Sequence, residues 1–134
     1  MHTDQITYAY VADEEMHPDN AVIIQEGSKS DLVFVILEGR VKIKKKAPKG
    51  TVTLATLREG EILGEMAFLS SEEGASRVSA VASGGPVRLG LLDIHRMRRE
   101  YESVDPRLKG LIRALMNRLK KTNARVCELV AEEK

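Results

Sequence analysis

Apolar residues along this chain change their spacing at Asp93. Before it they fall in short runs: Val22 to Ile24, Leu32 to Leu37, Val41 to Ile43, Val52 to Leu57, Val78 to Ala82 and Val87 to Leu92. The runs are rich in β-branched residues and are parted by Gly27, Gly39, Gly50, Gly60 and the Gly84-Gly85-Pro86 break, which is strand-and-turn chemistry. Val41 and Ile43 alternate with Lys42 and Lys44, and Val87, Leu89 and Leu91 alternate with Arg88 and Gly90, the period of a half-buried strand. Many short strands at regular spacing predict a β jelly-roll barrel of about eight strands, over roughly residues 5–92.

After Asp93 the period becomes helical. Asp93 is placed to cap a short helix over 94–103, and Asp105-Pro106 sets an acidic N-cap before a proline at the first helical position. In the long helix predicted over 106–130, Leu108, Ile112, Leu115, Leu119, Thr122, Val126 and Leu129 are spaced alternately by four and three residues. That is a heptad seam, with Ile112, Leu119 and Val126 at a and the others at d, and it predicts a homodimer through residues 108–129. The fold class is therefore mainly β with C-terminal α.

Length and composition narrow the class. A chain of 134 residues fits one domain, 1–134, with one core. Aromatic residues make up only 4%, which argues against a base-stacking surface. The net charge of +1 hides an asymmetry: the C-terminal helices are basic and the strand-rich part is mildly acidic. Lys44, Lys45, Lys46 and the helix basics Arg113, Arg118, Lys120, Lys121 and Arg125 read as solvated faces, so direct nucleic-acid binding is not expected. The single cysteine, Cys127, and the lack of any basic-then-apolar leader or long apolar span predict a soluble cytoplasmic protein without a membrane segment.

Enzyme chemistry has no visible carrier. His2, His17 and His95 are scattered, which speaks against a metal centre of the kind found in cupin barrels. No G-x-S-x-G and no Cys/His pair suggests nucleophilic catalysis. Catalytic residues, metal and cofactor are all expected to be absent.

The informative stretch is GEMAFLSSEEGASRVSAVAS, Gly64 to Ser83, with one acid directly after a glycine and one arginine twelve residues later among small side chains. Gly64-Glu65-Met66-Ala67-Phe68-Leu69 and Arg77-Val78-Ser79-Ala80-Val81 resemble the phosphate-binding cassette of cyclic nucleotide-binding domains, the family of the catabolite activator protein and the kinase regulatory subunits. Glu26-Gly27 and LVFVILEGRVKI resemble the family's upstream strands, paired around a turn glycine. DPRLKGLIRALMNRLKKTNARV is similar to its long terminal helix. The resemblance covers roughly residues 20–130 and implies that Gly64, Glu65, Met66, Ala67, Arg77, Val78 and Ser79 bind cAMP or cGMP.

The chemistry of these residues suits such a ligand. Arginine meets a phosphate with a rigid fork of donors, a helix opening near Glu65 adds free N–H groups, and a carboxylate accepts the ribose hydroxyl proton. Small residues let the backbone approach. A plain Glu65–Arg77 pairing across a loop is the competing reading.

The cassette departs from the family pattern in two places. Its loop is longer and carries Glu72 and Glu73, and Val78 stands where the family has a small or hydroxylic residue, which favours cAMP over cGMP. RLKKTNARV resembles the family's R-L-x-x-T-S-x-x-V, which implies that Thr122 and Asn123 reach the purine, one of them from a partner subunit. The expected function is a regulatory sensor that relays occupancy through the long helix. The alternative is a cassette that binds no nucleotide and serves as a dimerisation or docking module. In the family a further domain carries the output, so the chain is expected to be part of a larger protein.

Overall fold

The computed structural model describes residues 8–29, 31–64 and 76–132. Its elements are β1 (Val11–His17), β2 (Val22–Ile24), β3 (Phe34–Ala47), β4 (Gly50–Leu57), β5 (Ile62–Leu63), β6 (Ser79–Leu92), α1 (Ile94–Glu102) and α2 (Pro106–Glu132). Two 14-residue strands, β3 and β6, form the spine, paired antiparallel from Phe34 opposite Leu91 to Lys44 opposite Ser79. Each serves two partners along its outer edge. β6 carries β1 along Val87 to Leu92 and β2 at Ala80 and Val81. β3 carries β5 at Phe34 and Val35 and β4 along Val41 to Ala47.

Between the two halves of each long strand lies a glycine corner. Gly39 has φ 101, while Gly84 and Gly85 have φ 76 and 136, values that side-chain-bearing residues rarely adopt. The β3–β6 register shifts on either side of Glu38, next to Gly39. A Cβ on Gly39 would lie 2.8 Å from the Pro86 carbonyl oxygen, so the two corners touch. Bending the ladder there folds one sheet over itself into the jelly roll.

This differs from the expected sequence of short strands parted at Gly39 and at Gly84-Gly85-Pro86. The glycines bend continuous strands instead of ending them, and six strands form among the described residues. β1 was not legible in the sequence, because Asp13, Glu14 and Glu15 mask its period. Those acids stand on an edge strand, where charge discourages pairing with other chains.

The apolar run at Leu32 to Leu37 is continuous because β3 buries both faces at this end. Phe34 and Ile36 enter a cluster with Val41, Leu63, Ala80, Ala82, Val87 and Leu89. Val33 and Val35 turn the other way, toward Leu92 and Ile94, with Tyr10, Val11, Leu37 and Met97 around them.

α1 starts where Asp93 Oδ1 accepts from Arg96 N–H at 3.0 Å. α2 starts at Pro106, behind Asp105, whose Oδ1 accepts from Arg107 N–H at 2.8 Å. The Tyr10 hydroxyl donates to Glu100, and Arg96 lies 4.9 Å over the Tyr10 ring and donates to Ala9 O, bracing α1 against the start of the roll. The Glu100 hydrogen bond, with smaller help from burial and charge, raises the Tyr10 hydroxyl above its ordinary pKa. α2, 27 residues and about 40 Å long, packs against β3.

Candidate functional site

The opening of the cassette is tied to β3. Gly60 N–H donates to Ile36 O and Ile36 N–H to Glu61 O, each at 2.9 Å, and Leu63 is buried opposite Phe34. Gly64 follows with φ 83, and a Cβ there would sit 2.3 Å from Leu32 O, so only glycine fits. Glu65, Met66 and Ala67, with Phe68, Leu69, Glu72 and Glu73, lie outside the described residues.

The far side of the cassette is tied to the loop after β2. Ser28 N–H donates to Gln25 O at 3.0 Å, closing a turn around Gly27, φ 89. Gly27 N–H donates to Ser76 O at 2.8 Å and Ser76 N–H to Ser28 O at 2.7 Å. Ser79 Oγ accepts from Glu26 N–H at 2.8 Å. Val78 is half-buried, its carbonyl accepting from the Ser76 hydroxyl at 2.6 Å. Arg77, between these anchors, is exposed and pairs with no other described residue. Leu63 and Ala80, on the two flanks, meet in one core cluster, so both ends of the cassette rise from the same packed floor.

Glu26 was quoted in the sequence only as part of a resemblance, and Lys45 was read as solvated. The structure corrects the second reading. Lys45 Nζ donates to Glu26 Oε2 at 2.8 Å, with the two side chains only 15% and 17% exposed, and Lys46 N–H donates to Glu26 Oε1 at 3.1 Å. Burial is the largest single influence on the Glu26 carboxyl and pushes its pKa up. The Lys45 and Lys46 hydrogen bonds and charges together outweigh it and hold the group below its ordinary value.

Thr122 and Asn123 stand on different faces of α2. Thr122 is exposed, in line with Leu108, Leu115, Leu119, Val126 and Leu129, which with Leu111 are between 41% and 56% exposed. Asn123 is half-buried on the face carrying Met116, Lys120, Cys127 and Val130. Ile112 is also half-buried, so the exposed stripe gains Leu111, which the heptad reading left out. At the elbow between the helices, Lys109 pairs with Glu102 at 3.1 Å and lies 5.4 Å over the Tyr101 ring.

A shallow concavity of about 130 Å³ at the β3–β4 turn, lined by Ala47, Lys49, Gly50, Thr51 and Val52, shares no residue with the predicted site. Among the described residues no group of His, Cys, Asp or Glu is gathered to hold a metal ion, and no helix is long and apolar enough to cross a membrane.

Residues 14–103 match the family model described as cyclic nucleotide-binding domain. The chain is 26% identical over 114 residues to a CRP-like cAMP-activated global transcriptional regulator of Mycobacterium tuberculosis, covering 84% of this chain and 50% of that protein. It is 31% identical over 77 residues to the cAMP-dependent protein kinase type II regulatory subunit of Drosophila melanogaster, 58% of this chain and 20% of the relative. The chain thus spans half the length of the first relative and a fifth of the second. Among solved structures, the EAL enzyme Bd1971 in its cAMP-bound form superposes with a TM-score of 0.73 at 28% identity, covering 85% of this chain and 30% of that one. Its cGMP-bound form gives 0.71 at 27% identity, covering 87% and 30%.

Proposed function

This chain belongs to the cyclic nucleotide-binding domain family, and on that premise we propose that it is a cytoplasmic sensor preferring cAMP to cGMP. It is a regulatory domain, with no catalytic role of its own and no direct hold on nucleic acid. Arg77 takes the phosphate, Glu65 the ribose hydroxyl, and Gly64, Met66, Ala67, Val78 and Ser79 shape the cassette. Thr122 or Asn123 meets the base, and α2 carries the signal to a second copy through residues 108–129.

The observation that carries this reading is the exposure of Arg77 on an anchored stretch of backbone. An exposed guanidinium with no partner among the described residues stands between two anchored serines, at the position where the family pattern has its arginine. An exposed fork of donors on a held backbone suits an anion. The preference for cAMP rests on Val78, which offers no hydroxyl. Bd1971 has been solved with either nucleotide, so likeness to it favours neither.

Calorimetric titration with cAMP and cGMP tests the proposal. Saturable binding with cAMP tighter than cGMP is expected. Heats indistinguishable from dilution for both would leave the dimerisation or docking module as the function.

A further inference from the structure

We propose that Glu26 is a positioning residue for the phosphate contact, acting through Arg77. The inference rests on the cassette reading above and extends it to a side chain that no ligand would touch.

Arg77 and Val78 precede the β6 ladder, which starts at Ser79 opposite Lys44, so strand pairing does not hold them. What holds the segment is the turn Gln25 to Ser28. It supplies two backbone hydrogen bonds to Ser76 and one from Glu26 N–H to Ser79 Oγ, bracketing Arg77 on both sides. A turn of four residues is a poor anchor unless it is itself fixed. The Glu26 side chain fixes it: one carboxylate oxygen takes Lys45 Nζ and the other takes Lys46 N–H, both on β3.

Beside the direct pairing of Ser79 with Lys44, a second link from β3 to the segment around Arg77 therefore runs through Glu26, whose side chain binds β3 and whose backbone N–H binds β6. A largely desolvated Lys–Glu pair adds little net stability, because the cost of removing both charges from water offsets their attraction. It does impose geometry, since the carboxylate is satisfied at both oxygens in one orientation only. An arginine fork must meet a phosphate within narrow limits of distance and angle, so fixing its backbone has a direct effect on affinity.

The test is a double-mutant cycle read by calorimetry with cAMP, together with amide hydrogen exchange on the nucleotide-free chain. Glu26→Gln should weaken cAMP binding about tenfold, equivalent to about 1.4 kcal/mol. In the Arg77→Ala background the same change should have almost no further effect. In the free chain, Glu26→Gln should speed exchange at the Gly27 and Ser76 amides while β3 and β6 keep their protection. Additive losses in the cycle, or unchanged exchange at Gly27 and Ser76, would overturn the proposal. If the wild type binds no nucleotide while exchange rises as expected, the nucleotide reading fails and the positioning role falls with it, leaving a structural brace.

Discussion

Gly64 faces the carbonyl oxygen of Leu32 so closely that a Cβ on the glycine would lie 2.3 Å from it. The contact stands where β5 ends and the cassette begins, and Gly64 also has φ 83. Gly64→Ala must therefore both strain the backbone and push β5 off β3, and should cost about 2–4 kcal/mol. Gly110→Ala is the control: that glycine is inside α2 with open space around it, and alanine there should add about 0.5–1 kcal/mol. Urea unfolding of both variants reads the difference. A wild-type midpoint for Gly64→Ala would mean that β5 relaxes without cost.

Arg77 is the residue whose removal should hurt binding most and folding least. Its side chain is exposed and unpaired with any described residue, so Arg77→Ala should leave the melting temperature within a degree or two. Loss of the partner of a desolvated phosphate should cost about 2–5 kcal/mol of cAMP affinity. Glu65→Gln should cost less, because an amide oxygen still accepts from a ribose hydroxyl. Equal titration curves for Arg77→Ala and wild type would remove the phosphate from this position.

The helices and the motif order were legible in the sequence because their signals are local. An aspartate cap and an Asp-Pro start depend on neighbours only a few residues away. The corners at Gly39 and Gly84-Gly85 were not, since a hairpin turn and a bend inside a strand use the same left-handed glycine. Only the pairing of Phe34 with Leu91 and of Lys44 with Ser79, far apart in the chain, separates the two. Lys45 misled for a similar reason: its partner Glu26 lies 19 residues away. The α2 seam was half legible. Two stripes with the same spacing run along the helix, and only packing against β3 decides that Met116 and Cys127 face inward while Leu115 and Leu119 face out.

The Glu26–Lys45 pair makes stability depend on acid. With the folded carboxyl below its ordinary value, the unfolded chain binds more protons than the native one as pH falls. The contribution is present above the ordinary carboxylate range and is lost as pH drops through the folded value. Lys45→Met removes the principal opposing cation and leaves burial to push Glu26 up, so the variant should be less stable than the wild type near neutral pH, and the gap should narrow as pH falls and Glu26 is protonated in both. Superimposable profiles of stability against pH for the two proteins would mean that the pair is solvated in solution.

Glu72 and Glu73 bring negative charge into the segment that receives an anion in the proposed function. Replacing both with serine should tighten cAMP binding if they face the phosphate, and the gain should shrink between low and high salt as screening shortens the reach of the repulsion. Titrations at two ionic strengths decide it. A salt-independent affinity, equal in both proteins, would turn those acids away from the site.

The exposed stripe of α2 sets the last prediction, which joins pocket and partner. Leu108, Leu111, Leu115, Leu119, Val126 and Leu129 form a run of half-exposed apolar side chains along one face of a 27-residue helix, with Thr122 as the polar position among them. Burying this stripe against its own copy is the simplest relief, and leucines and valine at heptad spacing suit parallel pairing. Leu115→Lys or Leu119→Lys should therefore yield monomers. Because Asn123 sits on the inward face and Thr122 on the outward one, the two should separate functionally. Thr122→Ala should alter the dimer constant, and Asn123→Ala should act within one protomer. If the base meets either of them, linkage requires that nucleotide tighten the dimer by the same factor by which dimerisation tightens nucleotide binding, with a coupling of about 1–3 kcal/mol. Sedimentation with and without cAMP measures that factor directly. An identical dimer constant in both would leave a static zipper beside an uncoupled pocket, and α2 would not be the route by which occupancy is reported.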